Sequence, residues 1–295
     1  MKKFLFILLV VGLCSFCWYL FLKPYDYLAS FKVKTYPGVV NQSIKKWSSA
    51  IGNSKILESK DVNSIIQEIE IKSIRYRYDW DIQPITDSTS SVKVYVTDLN
   101  NSIENRLQIL FSDSLFEDEV RNRLLHFNDN LKDHLANFKV VVIGQEKLES
   151  SYVVYLPVKT TQLKKAKGMM GVYPYLDNLM ASSGIKSNGF PFIEVTYWNQ
   201  TNDSIHYNFC YPIIKNENLP INKDVKYKKF EGGNVIKASY NGNYITSDRA
   251  WYKLLDYAAK EHIEVVSKPV EIFYSNPNFG GEALEWKAEV FLPLR

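Results

Sequence analysis

Cysteine, histidine and methionine are scarce in this chain of 295 residues, at three, four and four. Cys14 and Cys17 share one apolar run near the N-terminus, and their C-x-x-C spacing reads there as membrane residues. That leaves Cys210 alone in the rest, so no disulfide within it supports the fold. His126, His134, His206 and His262 show no metal-ligand spacing to one another, and no metal or cofactor is expected. G-x-S-x-G, H-E-x-x-H, the P-loop and G-x-G-x-x-G are all missing, so no catalytic residue is assigned. Excess charge is small as well. Against 32 acidic residues stand 36 basic ones, and Lys2 and Lys3 supply two of the net +4. A near-neutral body of interspersed charge lacks the electrostatic footprint of a nucleic-acid binder. With 46% hydrophobic and 23% charged residues, 13 Gly and 11 Pro, the chain is neither disordered, collagenous nor multi-spanning. At roughly 150 residues per domain it holds about two domains.

What the chain does have is one uncharged run, FLFILLVVGLCSFCWYLFL, over residues 4–22. At 1.5 Å per residue it spans roughly 28 Å, close to a bilayer core. Lys2 and Lys3 precede it and Lys23-Pro24 closes it. The positive-inside rule then keeps the N-terminus cytoplasmic and exports the rest. The expectation is a single-pass anchor over residues 1–24, with the following domains outside the cytoplasm. A cleaved signal peptide is the main rival, but its apolar region is usually shorter and ends in small residues. Here the run ends in Trp18-Tyr19-Leu20-Phe21-Leu22, and Leu13 before Cys14 fits a lipoprotein site poorly. Asn41, Asn199 and Asn202 fit the sugar-acceptor pattern, which chance explains in an Asn-rich chain.

Residues 25–144 read as the first domain. Alternation over 26–36 predicts a strand, and Val40, Ile44 and Trp47 predict a short amphipathic helix. Strand-like runs follow at 64–77 and 91–97, with a turn at 87–91 between strands. Asp113-Ser114 then caps the longest helix signal. Its apolar stripe is Phe116, Val120, Leu124, Phe127, Leu131, Leu135 and Phe138. A strand, a short helix, a strand meander and one long helix resemble the START-like (SRPBCC) helix-grip arrangement. That resemblance implies an antiparallel sheet gripping the long helix, often around an apolar cavity.

Residues 145–295 contain an internal repeat. Pro191-Phe192-Ile193-Glu194-Val195-Thr196-Tyr197 matches Pro269-Val270-Glu271-Ile272-Phe273-Tyr274, and Phe209-Cys210-Tyr211-Pro212-Ile213 matches Val290-Phe291-Leu292-Pro293-Leu294. Tyr173 and Leu176 map onto Trp251 and Leu254. Each unit reads strand, helix, strand, strand, and two such units pack around a shared core. With Ser239-Tyr240-Asn241-Gly242-Asn243-Tyr244, the helix at 247–262 and the C-terminal Trp286-Lys287-Ala288-Glu289-Val290-Phe291-Leu292-Pro293-Leu294, this half resembles the GyrI-like effector-binding domain. Asn241 stands where that family usually has His, and the membrane run replaces its usual N-terminal helix-turn-helix. The expected fold class is therefore α+β: a transmembrane helix, a helix-grip sheet with its long helix, and a duplicated β-α-β-β domain.

The resemblance implies a bacterial protein whose groove between the repeats binds an amphipathic, often cationic, organic molecule through a buried glutamate among aromatic rings. It carries that role to Glu271. The physics agrees: a carboxylate between Val270, Ile272 and Phe273 loses hydration and needs a partner. A ligand cation is one partner, and a lysine or backbone amide, making Glu271 structural, is the other. Phe273, Tyr244 and Trp251 are expected beside it. Glu194 takes the matching place in the first repeat on a face with Trp198, and Glu289 is a further candidate on the last strand. Three functions remain open: non-catalytic binding of a small molecule, hydrolysis of a reactive small molecule with Glu271 as base, and an envelope protein-interaction module. An unpaired, pocket-facing Glu271 favours the first two, and a Glu271 bridged to lysine beside a filled groove favours the third.

Overall fold

In the computed structural model, which describes residues 2–86, 88–111, 114–215, 219–221 and 223–295, the apolar run is a helix. The α-helix α1 (Lys2–Cys17) continues as a π-helical turn over Trp18–Leu22. An 18-residue stretch of Lys2–Leu22 has a mean hydropathy of 2.5, and the helix is long and apolar enough to cross a membrane. The chain divides into two compact units, Met1–Lys132 and Asp133–Arg295.

The first unit continues with β1 (Tyr27–Val33), α2 (Pro37–Ala50), β2 (Ser54–Asp61), β3 (Ser64–Ile71), β4 (Ile74–Thr86), β5 (Thr89–Asp98), α3 (Ser102–Phe111) and α4 (Leu115–Ala136). Pro37 sits in the first turn of α2, where its missing N–H is no loss. The strands form one antiparallel sheet in the order β1-β5-β4-β3-β2. The stretch 64–77 is two strands rather than one. Lys72 and Ser73 turn the chain with φ of 49° and 67°, the positive values a tight hairpin requires. The expected turn at 87–91 is shorter, because Thr89–Ser91 already belong to β5 and Asp87 lies outside the described residues. Asp113 lies outside them too, while the Ser114 hydroxyl accepts the Glu117 N–H at 3.3 Å and caps α4.

The α4 stripe buries Phe116, Val120, Leu124, Phe127 and Leu131, while Leu135 is half-buried. Phe127 meets Trp80 of β4 at 5.1 Å, Trp47 of α2 at 5.2 Å and Phe31 of β1 at 6.4 Å between ring centroids. This aromatic packing fixes α2 and α4 on the sheet in a helix-grip-like arrangement. The middle of α3 is tied to the end of the apolar helix. Arg106 Nε donates to Asp26 at 2.6 Å, and its Nη1 donates to the carbonyls of Tyr19 and Leu20 at 3.1 and 2.8 Å. A guanidinium there complements the negative end of the helix dipole.

Phe138, counted in the helix stripe from sequence, instead opens β6 (Phe138–Leu148), because that segment pairs with a strand of the second unit. The rest of that unit is β7 (Ser151–Thr161), α5 (Lys165–Ser182), β8 (Phe192–Trp198), β9 (Ser204–Pro212), β10 (Lys226–Phe230), β11 (Gly233–Gly242), α6 (Arg249–Lys260), β12 (Val270–Phe273) and β13 (Lys287–Pro293). The sheet order β10-β7-β9-β8-β12-β13-β11-β6 shows the duplication directly. β7-α5-β8-β9 and β11-α6-β12-β13 lie in mirrored strand order, joined where β8 pairs with β12. β10 and β6 extend the two edges. One face carries the large core, where Leu176 and Met180 of α5 and Trp251 and Leu254 of α6 meet Ile193, Tyr207 and Val290 of the sheet. The opposite face has a smaller cluster around Phe192, Cys210, Val270 and Phe291. Gly242 ends β11 with φ of 149°, and a Cβ there would come within 2.7 Å of Phe138.

Phe127→Ala is expected to lower stability by about 3–5 kcal/mol, a buried ring lost without collapse of its site. Leu125→Ala, on the solvent side of α4, is expected to change it by less than about 0.5 kcal/mol. Denaturant unfolding of the full chain in detergent checks both.

Candidate functional site

The site is built where the two repeats meet. Glu271 on β12 lies opposite Ile193 of β8 and Val290 of β13, on the helix-covered face of the sheet. Its side chain is fully closed to solvent, as is that of Lys165. Lys165 Nζ donates to both Glu271 oxygens, at 2.8 Å each. The same ammonium donates to Ser247 Oγ at 2.7 Å, and that hydroxyl donates to Glu271 Oε2 at 2.6 Å. An ammonium has three donors and all three are used. The Trp251 ring centroid lies 5.1 Å from Nζ, within reach of a cation–π contact.

Two short 3₁₀ turns deliver the cluster. Lys165 follows Gln162–Lys164 at the start of α5, and Ser247 follows Tyr244–Thr246 ahead of α6. The pair therefore approaches Glu271 from corresponding places in the two repeats. Tyr207 Oη donates to the Lys165 carbonyl at 2.8 Å and holds that end of α5. Gly168 makes room for this contact, since a Cβ there would lie 2.5 Å from the hydroxyl. Burial pushes the Glu271 carboxyl above its ordinary range, while the Lys165 ammonium and the Ser247 hydroxyl oppose that push. Burial, with the Glu271 charge, also raises the Tyr207 hydroxyl.

A second buried polar group adjoins the first. Gln162 Nε2 donates to Asp248 at 2.5 Å, and Gln162 Oε1 accepts from Trp198 Nε1 at 3.0 Å and Tyr252 Oη at 3.1 Å. Arg249 pairs with Asp248 at 2.9 Å. The Trp198 and Trp251 rings meet edge-on at 4.9 Å. Trp251 Nε1, Arg249 Nε and Asp248 Oδ1 are buried with no hydrogen-bond partner among the described residues.

Of the seven residues expected from sequence, five share the helix-covered side. Besides Glu271 and Trp251 these are Trp198, Phe273 and Tyr244, whose ring packs on Phe273 at 4.8 Å. The Tyr244 hydroxyl donates to the Lys287 carbonyl at 2.6 Å. Glu194 and Glu289 lie on the other face. Glu271 pairs with Ile193, and Glu194 is the next residue along, so the expected equivalence is off by one and inverts the face. Glu194 is bridged to Lys228 and accepts from Asn208 at 2.8 Å. A bulge after Val195 then returns Trp198 to the helix side, separating it from the face it was expected to share with Glu194. Glu289 opposes Ile272 and is held by Lys287 at 3.1 Å, Lys237 at 3.2 Å and the Tyr274 hydroxyl at 2.7 Å. Partial burial raises its carboxyl, but these contacts outweigh it and hold the group below the usual range. Sequence reasoning missed Lys165, Ser247 and Gln162. The repeat as read from sequence aligns Lys165 with Asn243 rather than Ser247, so the correspondence of Lys165 and Ser247 emerges only from the two 3₁₀ turns of the fold.

The comparisons with known proteins bear on the duplicated unit. The sequence profile of the GyrI-like small molecule binding domain matches residues 145–295, and the chain belongs to that family. Among solved structures, the C-terminal domain of EcmrR is 11% identical, with a TM-score of 0.45 over 54% of this chain and 98% of that one. EcmrR in a DNA complex is 12% identical, with a TM-score of 0.45 over 65% of this chain and 70% of that one. A hydrolase from Listeria innocua is 12% identical, with a TM-score of 0.36 over 53% of this chain and 92% of that one. The search of curated proteins gave no match.

Lys165→Met and Glu271→Leu are each expected to cost about 3–5 kcal/mol, because each strands a buried charge. The double substitution is expected to cost far less than the sum. A double-mutant cycle read by denaturant unfolding measures this coupling, and additive losses would show that the two side chains do not act as a pair.

Proposed function

We propose that the second unit binds a small amphipathic organic molecule without catalysis, and that the N-terminal helix holds the protein at a membrane. Membership of a small-molecule binding family over residues 145–295 supports the binding half. The observation that carries it in this chain is Trp251. Its indole N–H is buried without an acceptor among the described residues, on the ring that lies over the Lys165 ammonium. An orphaned buried donor costs about 1–3 kcal/mol, and a ligand acceptor removes that cost. Trp251, Trp198, Tyr244 and Phe273 form the ligand's aromatic surroundings in this reading, with Glu271 as their polar floor. Because solvent reaches neither Glu271, Lys165 nor Trp251, the ligand selects conformations in which the covering side chains have parted.

The hydrolase reading gains no support. A general base needs a water within reach, and both Glu271 oxygens are engaged by Lys165 and Ser247 away from solvent. The lysine bridge to Glu271 and the same closure meet the criterion set from sequence for a second reading, an envelope interaction module in which the site no longer takes a ligand. The membrane half is supported by the length and apolarity of Lys2–Leu22 and by the exposure of its side chains. The charge bias around that helix supports a topology in which the residues after 24 lie outside the cytoplasm. For the first unit, β1 pairing with the last strand and α4 packed across the sheet support assignment to the START-like superfamily.

The test is thermal unfolding of the full chain in detergent against uncharged and cationic amphipathic compounds, beside Trp251→Phe. A ligand at 100 times its Kd adds about 2.7 kcal/mol. A shift in the wild type that shrinks in Trp251→Phe supports binding at this ring. No shift with any compound moves the interaction module to first place. In cells the chain is expected to stay in the membrane pellet after alkaline carbonate extraction, and release into the supernatant would contradict the anchor.

A further inference from the structure

The cluster around Glu271 has the chemistry of a receptor for a primary ammonium ion. Two carboxylate oxygens and a hydroxyl take its three N–H donors, and an indole face lies beside it. The ammonium in place belongs to the chain itself. We propose that Lys165 is a built-in counter-ion that fills this cradle, so that the site takes uncharged ligands and excludes cations. As to the wild-type ligand, this rests on the small-molecule reading above, whereas the cradle can be tested without it.

Three features point the same way. Lys165 and Glu271 are both completely removed from solvent, so a cation from outside would have to expel the ammonium from every one of its partners. A second positive charge beside an intact pair would find no uncompensated carboxylate, because Glu271 has both oxygens occupied. The free hydrogen-bonding atom on the overlying ring, Trp251 Nε1, is a donor and matches an acceptor on an uncharged molecule. Lys165 is then a specificity-determining residue: with it the site is neutral overall, and without it the site is an anionic pocket shaped for an amine.

The experiment removes the lysine arm and supplies it from solution. Lys165→Ala deletes Cγ, Cδ, Cε and the ammonium, the outline of n-propylammonium. With the full chain in detergent, n-propylammonium is expected to raise the unfolding midpoint of Lys165→Ala in a saturable way, while n-propanol does not. Lys165→Ala/Glu271→Ala and the wild type are expected to show no such response. A folded Lys165→Ala indifferent to n-propylammonium overturns the proposal, as does a wild type that takes up amines equally well. If Lys165→Ala does not fold in buffer, refolding supplies the readout. Recovery with n-propylammonium but not n-propanol supports the cradle. Failure with both, while the double variant folds, overturns it. A wild type stabilised by uncharged amphiphiles beside a Lys165→Ala blind to amines would leave the binding function standing and remove only this inference. Amine rescue with no wild-type ligand would do the reverse.

Discussion

A lysine from the first repeat and a glutamate from the second, both stripped of water, face each other across 2.8 Å. Dehydrating either ion is unfavourable by several kcal/mol, and their attraction offsets this only when every remaining donor and acceptor is satisfied. Ser247 completes the set by accepting from the ammonium and donating to the carboxylate. The requirement reaches outward. The 3₁₀ turn ahead of each helix, the Tyr207 contact to the Lys165 carbonyl and the missing side chain at Gly168 all hold the three groups in place. The pair also joins the two repeats chemically, at the same seam where β8 and β12 join them through the backbone.

Strand register decides which side chains can take part. Along β12 the order Val270, Glu271, Ile272, Phe273 alternates between the two faces, so Glu271 and Phe273 look toward the helices. In β8 the acidic residue comes one position later than its counterpart and faces away. A single inserted residue in β8 restores Trp198 to the helix side, where it packs on Trp251 and donates to Gln162. One slip and one bulge thus make a near-symmetric duplication into an asymmetric site with a single central carboxylate.

Much of this was legible in the sequence. The α4 stripe and the strand-like run at 91–97 were readable because each keeps one period throughout and is buried on one side only. The duplication was readable from paired prolines and aromatics, and the burial of Glu271 from its apolar neighbours. The hairpin at Lys72-Ser73 was not, because neither residue carries the Gly or Asn signal of a tight turn. β6 was hidden because it follows α4 almost directly and Phe138 continues the helix stripe in spacing. Lys165 was hidden for a deeper reason. It sits among Lys164 and Lys167 and reads as one charge on a solvated helix start, and only the fold brings it to a carboxylate 106 positions away. A buried counter-ion has no local sequence signature, since burial and pairing both come from long-range contacts.

The whole arrangement requires Lys165 to be a charged, hydrogen-bonded ammonium sealed against Glu271. Nitrogen-15 NMR of lysine-labelled full chain in detergent tests it directly, because a solvated lysine ammonium exchanges its protons too fast to be seen at neutral pH. One slowly exchanging ammonium signal is expected, which disappears in Lys165→Met and is lost or displaced in Glu271→Gln. A spectrum in which every lysine ammonium exchanges rapidly with water would contradict it.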